Sequence, residues 1–185
     1  MKIRNRMTDP WPNSPCLWTQ FNGTPSDLNM NMAADNSAMQ LDCLTDTRNS
    51  ICAEIDLPAA GEYVAGLRVL GAAVTMRIKS KGGSSGVLVQ KACAQGNHAV
   101  RFTTPNNGMQ FIIDIQGKGT SSLVKGFVVM SLADWQAMRS TSEQIVWFAP
   151  PKNGVSMQKY TPTLLTGGGA HSNPACRYPH WVVVA

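Results

Sequence analysis

The sequence predicts an all-β protein, an antiparallel β-sandwich of the jelly-roll kind with one short helix. Two observations support this prediction. From about residue 50 onward, apolar and polar residues alternate in segments that recur at spacings of about 10 to 13 residues, which is typical of strands with one buried face. The intervals between these segments are too short for the crossover helices that a parallel sheet requires. A length of 185 residues favours one domain with appendages.

Seven segments between residues 51 and 130 carry the strand pattern. The first, ICAEIDL (51–57), places apolar residues at every second position, which predicts one buried face. The other six are bounded by Gly, Pro, Asn or Ser, residues that favour turns. They are EYVAGLRVL (62–70), AVTMRIKS (73–80), GVLVQKA (86–92), HAVRFTT (98–104), MQFIIDI (109–115) and VKGFVVM (124–130).

One helix is predicted over residues 131–140, SLADWQAMRS. Ser131 fits the N-cap, and Asp134 takes the place of Glu in a capping box. Trp135 and Met138 then lie on one face of the helix. After it, IVWFA (145–149) predicts a short strand, and the terminal WVVVA (181–185) is expected to pair as a strand.

We expect three regions along the chain: an extended N-terminal arm (1–48), the β-sandwich (49–149) and a loop-rich C-terminal extension ending in a strand (150–185). The arm is rich in Pro and Asn and shows no regular period, so it needs anchors on its own body or, as we favour, on a neighbouring subunit. The residues predicted to contact partners lie at the two ends of the chain: Trp11, Trp18, Phe21, Trp181, Val182, Val183 and Val184.

A hydrolase motif is present in the sequence but lacks its expected context. Gly82, Ser84 and Gly86 fit the G-x-S-x-G nucleophile pattern, and Asp114 or Asp134 and then His171 follow in the matching order. The nucleophile elbow needs a helix after the serine, whereas a strand segment follows Ser84. We therefore interpret this stretch as a hairpin loop. A hydrolase that uses Ser84 and His171 remains a third hypothesis, after the two that are given at the end of this section.

The glycine-rich stretch GKGTSS (117–122) resembles a phosphate-binding loop without meeting its requirements. The Walker pattern places a glycine five residues before the Gly-Lys pair, and that position is Ile112. A strand segment follows, so no helix N-terminus would face a phosphate. We interpret this stretch as a second hairpin.

Cysteines and histidines give no metal pattern. The five cysteines form no C-x-x-C pair and have no ligand spacing with the three histidines. We expect free thiols in a reducing compartment, no metal, no cofactor and no catalytic residues. The N-terminus lacks the apolar stretch of a signal peptide, and no run of about 18 apolar residues predicts a membrane span.

Charge is distributed unevenly along the chain. Residues 1–56 carry four basic and seven acidic groups, whereas residues 57–130 carry eight basic and two acidic groups. An acidic arm and a basic body attract each other within one chain or between copies. The basic residues are spread over several strands with few aromatic residues between them, so nucleic-acid binding is not expected.

The order of GEYVAGLRVLG, VTMRIKS and FTTPNNGMQFIIDIQGKGTSSLVKGFVVM resembles that of the carbohydrate-binding-module-like jelly rolls in structural proteins of tailed bacteriophages. The next stretch, VVMSLADWQAMRS, is similar to the strand and DW-x-x-M helix that follow such domains. The resemblance covers about residues 57–140. It implies a non-enzymatic virion protein, a capsid decoration or a collar or tail accessory, assembled in the host cytoplasm. Its expected partners are copies of itself and capsid, portal or tail subunits.

The alternative hypothesis is a carbohydrate-binding module that recognises a glycan of the host surface. Tyr63, Trp135 or Trp147 would then present an aromatic face to a sugar ring. The sequence departs from sugar-binding members of the family because it lacks an evident pair of exposed aromatic residues and calcium-type carboxylate clusters.

Overall fold

The structure, a computed structural model, describes residues 2–7, 18–24, 26–33, 38–81, 86–105, 108–140 and 180–183. These residues form twelve strands and one helix. The elements are β1 (Lys2–Asn5), β2 (Thr19–Asn22), β3 (Leu28–Met32), β4 (Met39–Cys43), β5 (Arg48–Asp56), β6 (Gly61–Gly71), β7 (Val74–Ser80), β8 (Val87–Cys93), β9 (Gly96–Thr104), β10 (Gly108–Gln116), β11 (Ser121–Ser131), α1 (Leu132–Ser140) and β12 (His180–Val183).

Two five-stranded sheets form a sandwich. The first sheet has the order β2-β5-β10-β7-β8 and the second the order β3-β4-β11-β6-β9. The antiparallel pairs β4–β11, β5–β10, β6–β9 and β7–β8 nest inside one another along the chain and alternate between the sheets. This nesting is the arrangement of a long hairpin folded over itself, so the predicted antiparallel jelly-roll sandwich is confirmed.

The core lies between the two sheets and follows from the alternation of the strands. In β5, Ile51, Ala53 and Ile55 are buried inward, as the period of two predicts. Phe111 of the first sheet and Phe127 of the second meet edge to face, with ring centroids 5.8 Å apart. Burial of two such aromatic side chains contributes several kcal/mol, about 25 cal/mol per Å² of apolar area removed from water.

The predicted boundary between arm and sandwich at residue 49 is wrong. Strand β2 pairs with β5 in the first sheet, and β3 and β4 join the second sheet through β11. Burial explains the difference, because Met39, Leu41 and Cys43 of β4 point into the core. The strands from Thr19 onward therefore belong to the sandwich.

The helix is confirmed with its cap. The backbone N–H of Asp134 donates to the Ser131 hydroxyl at 3.1 Å, which satisfies one of the unpaired amides at the helix start. Trp135 and Met138 both pack against the buried Met130. Helix α1 therefore lies on the outer face of the second sheet.

The two glycine-rich loops differ in structure. Strands β7 and β8 pair across residues 81–86, as expected for a hairpin. Strands β10 and β11, in contrast, belong to different sheets, so the predicted hairpin at 117–122 is wrong. There the chain turns between the layers, with the Thr120 amide donating to the Gly117 carbonyl at 3.0 Å and the Lys118 amide to Asp46 at 3.1 Å.

The two ends of the chain meet in a small ribbon. Strand β12 pairs antiparallel with β1, so the expected terminal strand is confirmed. The Arg6 amide donates to the Val129 carbonyl of β11 at 2.6 Å, which attaches this ribbon to the second sheet. The predicted strand at 145–149 and the rest of the predicted extension before residue 180 lie outside the described residues.

Candidate functional site

The outer face of the first sheet is the candidate site, and we call it the polar face. It consists of the outward-pointing side chains of β2, β5, β10, β7 and β8. One row of residues that are paired across all five strands runs through its centre. That row is Thr19, Cys52, Ile112, Arg77 and Gln90. Helix α1 and the β1–β12 ribbon pack on the second sheet. The centre of the polar face is buried, since Cys52, Ile112 and Arg77 are 3%, 0% and 8% exposed. Exposed groups lie around this centre, at Phe21, Glu54 and Gln90.

A charged network forms the floor of the polar face. Arg77 donates from Nε and Nη2 to the two carboxylate oxygens of Asp114, at 2.5 and 2.6 Å. The Ser50 hydroxyl donates to the same carboxylate at 2.5 Å. Arg77 and Asp114 are 8% and 5% exposed, so the bidentate pair is shielded from water and geometrically fixed. The network joins β5, β10 and β7 in one rigid base.

Cys52 lies next to this network on the floor. It is buried, and burial raises the pKa of its thiol to about 11, with the nearby Glu54 carboxylate adding to the rise. Since the thiolate is the reactive form, this side chain is a neutral, inert part of the floor. Cys43 and Cys93 are also buried and free, as expected; Cys16 and Cys176 lie outside the described residues.

An aromatic ring overhangs the floor from one edge. Phe21 of β2 is 40% exposed, and the Lys79 ammonium of β7 lies 5.5 Å from its ring centroid, within cation–π range. Strands β2 and β7 are separated by β5 and β10, a span of about 14 Å at the usual strand spacing. Both side chains must therefore lean over the two central strands to meet.

More polar side chains lie on the polar face where β5 and β7 end. Lys81 forms ion pairs with Glu54 at 3.2 Å and Asp56 at 3.1 Å. The hydrogen bonds that its ammonium donates to Asp56 and then to Glu54 raise the pKa of Lys81. Gln110 donates to Glu54 at 3.5 Å. The face thus presents an aromatic ring beside donors and acceptors, an arrangement that suits a ligand carrying hydroxyl groups.

The hydrolase hypothesis finds no assembled triad. Ser84 and His171 lie outside the described residues, and Asp114 is engaged with Arg77 and Ser50. The strand after Gly86 is β8, so the helix that a nucleophile elbow requires is replaced by a strand. In the described part of the chain, no three His, Cys, Asp or Glu side chains lie close enough together to hold a metal ion. Among the same residues, no helix is long and apolar enough to cross a membrane.

The residues predicted to contact partners have separate locations. Trp18 is 3% exposed and packs against Phe111 and Phe127 in the core, so we withdraw it from the predicted contacts. Phe21 lies exposed on the polar face. Trp181, Val182 and Val183 belong to β12 and pair with β1, whereas Trp11 and Val184 lie outside the described residues. Partner contact remains a prediction for all of them except Trp18.

The three aromatic residues considered for sugar binding also lie in different places. Tyr63 is core: it is 4% exposed, stacks on Phe102 and donates its hydroxyl to the Ala59 carbonyl at 2.9 Å. Trp135 lines a pocket beside α1 on the second sheet. Trp147 lies outside the described residues. Phe21, which we had predicted as an arm contact, is the aromatic residue of the polar face.

Sequence patterns alone did not point to Arg77 or Lys79, and Asp114 was considered only as a candidate acid of the hydrolase triad. A signal existed in part, since Thr75, Arg77 and Lys79 occupy alternate positions of a clear strand and so share its outward face. Their partners, however, come from distant strands, and the strand order that brings them together is not encoded locally.

The comparisons with known proteins agree with this architecture. No protein-family model matches the sequence, and no curated protein matches it. Among solved structures, TmCBM61 in complex with beta-1,4-galactotriose is 16% identical with a TM-score of 0.50, over 69% of this chain and 99% of that chain. A CBM4 structure is 10% identical with a TM-score of 0.51, over 70% and 94%.

A phage protein has the same fold in part of its chain. The enzymatically active domain of tailspike protein 4 of bacteriophage CBA120 is 9% identical with a TM-score of 0.55, and the match covers 68% of this chain and 21% of that chain. Identities this low establish the fold alone. The chain has the β-sandwich fold of carbohydrate-binding modules.

Proposed function

We propose that the chain is a non-catalytic carbohydrate-binding domain whose polar face binds a glycan. The observation that carries this proposal is the exposed Phe21 ring beside Lys79, on a sheet face that also exposes Glu54 and Gln90. An aromatic face packs against the apolar side of a sugar ring, while neighbouring polar groups bind its hydroxyls.

The floor of the polar face supports this role by its rigidity. The pair of Arg77 and Asp114 is buried and bonded at two points, so it holds the neighbouring strands in place beneath the ligand. Binding groups placed on such a fixed base keep their geometry and lose little entropy when the ligand arrives. Gln90 is the exposed polar group nearest the Arg77 row, and Gln110 and Glu54, which bond each other at 3.5 Å, are the further groups that a hydroxyl can join.

The sequence led to two main hypotheses, a virion structural protein and a carbohydrate-binding module, and the fold also supports the second. TmCBM61 and the CBM4 structure share the sandwich over most of their own length. Their likeness favours the carbohydrate-binding hypothesis, which the sequence analysis held as the alternative, over a purely structural role.

The test is calorimetric titration of the full chain with neutral oligosaccharides, beginning with β-1,4-galactotriose and extending to bacterial surface polysaccharides. Phe21→Ala should weaken binding at least about tenfold, the loss of about 1.4 kcal/mol that a central aromatic contact supplies. Leu44→Ala is the matched control, because Leu44 is equally exposed, at 40%, but lies off the polar face. Unchanged binding by Phe21→Ala, or no binding by any glycan of the panel, would contradict the proposal.

A second candidate is a structural part of a phage particle, a capsid decoration or a collar or tail accessory protein. The partial likeness to the tailspike of bacteriophage CBA120 favours it. The proposal includes assembly in the host cytoplasm into a homo-oligomer that contacts other virion subunits. Light scattering on the 20.0 kDa chain tests the oligomer: a mass of several chains supports it, and a single-chain mass at all concentrations contradicts it.

A further inference from the structure

A pocket of about 670 Å³ lies on the opposite side of the sandwich from the polar face, between α1 and the outer face of the second sheet. This volume is within the range of small-molecule sites. Its lining includes Arg68, Asn97, Gly126, Val128, Trp135 and Arg139, and Leu67, His98 and Ala99 complete it. Nothing in the proposed function of the polar face depends on this pocket.

Two guanidinium groups give the pocket its charge. Arg68 is half-buried on β6, and Arg139 is exposed in the last turn of α1. No carboxylate belongs to the residues lining the pocket, and within the described ranges neither arginine forms an ion pair. Two cations held near one cavity without a counter-charge favour an anion, and the planar guanidinium fits a carboxylate with two parallel hydrogen bonds.

An aromatic wall and an amide complete the site. Trp135 precedes Arg139 by one helical turn, so both lie on the same side of α1, and half-buried Trp135 packs on Met130 while also lining the pocket. Asn97 lies directly opposite Arg68 in the register of β9 and β6. The amide donates and accepts hydrogen bonds, which matches a ligand with hydroxyl groups.

Space for a ring comes from the irregularity of β11. The register of β11 shifts between Lys125 and Val128, and Gly126 within this bulge has φ of +62°. A β-carbon at Gly126 would have the Arg68 β-carbon, at 3.9 Å, as its nearest neighbour. The absence of a side chain there therefore leaves the wall beside Arg68 open.

We infer that this pocket binds a carboxylate-bearing sugar unit, a uronate. The carboxylate pairs with Arg68 and Arg139, the hydroxyls meet Asn97, and the apolar side of the ring lies against Trp135. A neutral sugar would leave the two guanidinium groups without a counter-charge. A bare anion would leave the indole without a partner.

The inference is tested by titrating the full chain with digalacturonate and with neutral galactobiose in low salt, followed by calorimetry. Binding of digalacturonate should be at least about tenfold tighter than that of galactobiose and should weaken as salt screens the charges. The double variant Arg68→Gln, Arg139→Gln should lose at least about tenfold in affinity for digalacturonate. Lys118→Gln is the control, since Lys118 is exposed in the turn between β10 and β11 and lines neither the pocket nor the polar face.

Three outcomes would overturn the inference: equal affinity for both sugars, unchanged affinity in the double variant, or no binding at millimolar digalacturonate. Equal binding of a sulfated neutral sugar would overturn the assignment to a carboxylate. The substituted side chains are exposed or half-buried, and an unchanged melting temperature confirms that the variants are folded. Phe21→Ala separates the two sites, because it should leave digalacturonate binding in the pocket unchanged.

Discussion

Arg77 and Asp114 come from neighbouring strands and form a buried, two-point ion pair on the outside of the first sheet. A third strand joins them through Ser50, whose hydroxyl also lies 3.3 Å from Nη2 of Arg77. Because side chains alternate between the faces of a strand, a one-residue slip in the pairing of β7 with β10 would send Arg77 into the apolar core. The pair therefore helps to fix the register beneath the polar face.

Asp114→Ala should lower the free energy of unfolding by about 3–5 kcal/mol, because it leaves the Arg77 guanidinium buried without its partner. Urea unfolding measures this change. Asp56→Ala is the matched control: its side chain is 87% exposed in its pair with Lys81, and such surface pairs contribute at most about 1 kcal/mol. Equal effects of the two substitutions would show that the buried pair has no special role.

Ser131→Ala should destabilise the protein by about 0.5–2 kcal/mol, because the Asp134 amide loses its hydrogen-bond acceptor at the start of α1. Ser131→Asp should retain the stability, since aspartate caps a helix as well as serine does. Thermal unfolding of both variants distinguishes them. A loss of equal size in Ser131→Asp would argue against a capping role for the hydroxyl.

Gly66→Ala should be destabilising by about 1–3 kcal/mol, because the close approach of β6 and β9 has no room for a methyl group. A β-carbon at Gly66 would lie 2.7 Å from the His98 carbonyl oxygen, whereas one at Gly86 would meet nothing within 4 Å. Gly86→Ala is therefore the control and should be close to neutral. Chemical denaturation measures the stability of both variants. Equal denaturant concentrations at the two unfolding midpoints would contradict the prediction.

The buried thiol of Cys52 should make stability depend on alkaline pH. Its pKa is about 11 in the folded chain against an ordinary value of 9.0, so the unfolded chain releases this proton first as the pH rises. The contribution is complete below about pH 9, and the free energy of unfolding should fall between pH 9 and 11. Cys52→Ala should make this fall shallower, as urea titrations at several pH values would show.

A second measurement addresses the same thiol. Alkylation at pH 8 should label Cys52 slowly in the folded chain and rapidly after unfolding, because the thiolate is the nucleophile. Rapid labelling of Cys52 in the folded chain would contradict the raised pKa.

Local pattern alone was enough to predict most of the strands. Residues 51–130 carry the period of two in seven segments, and each became a strand, because burial of alternate side chains acts within a few residues. The capping box at Ser131 is equally local. Strands β3 and β4, LNMNM and MQLDC, also alternate, but the surrounding prolines and asparagines led us to interpret them as part of an arm.

The sequence by itself determined the class of fold, the strand-rich body and the capped helix, since these depend on contacts between near neighbours in the chain. Only the tertiary structure decided which strands share a sheet and which side chains meet across it. Arg77 and Asp114 are 37 residues apart, and Lys79 reaches Phe21 across two intervening strands. Arg68 meets the helix that carries Trp135 and Arg139 only because α1 folds back on the second sheet. Such sites depend on strand order, which is set by the packing of the whole core.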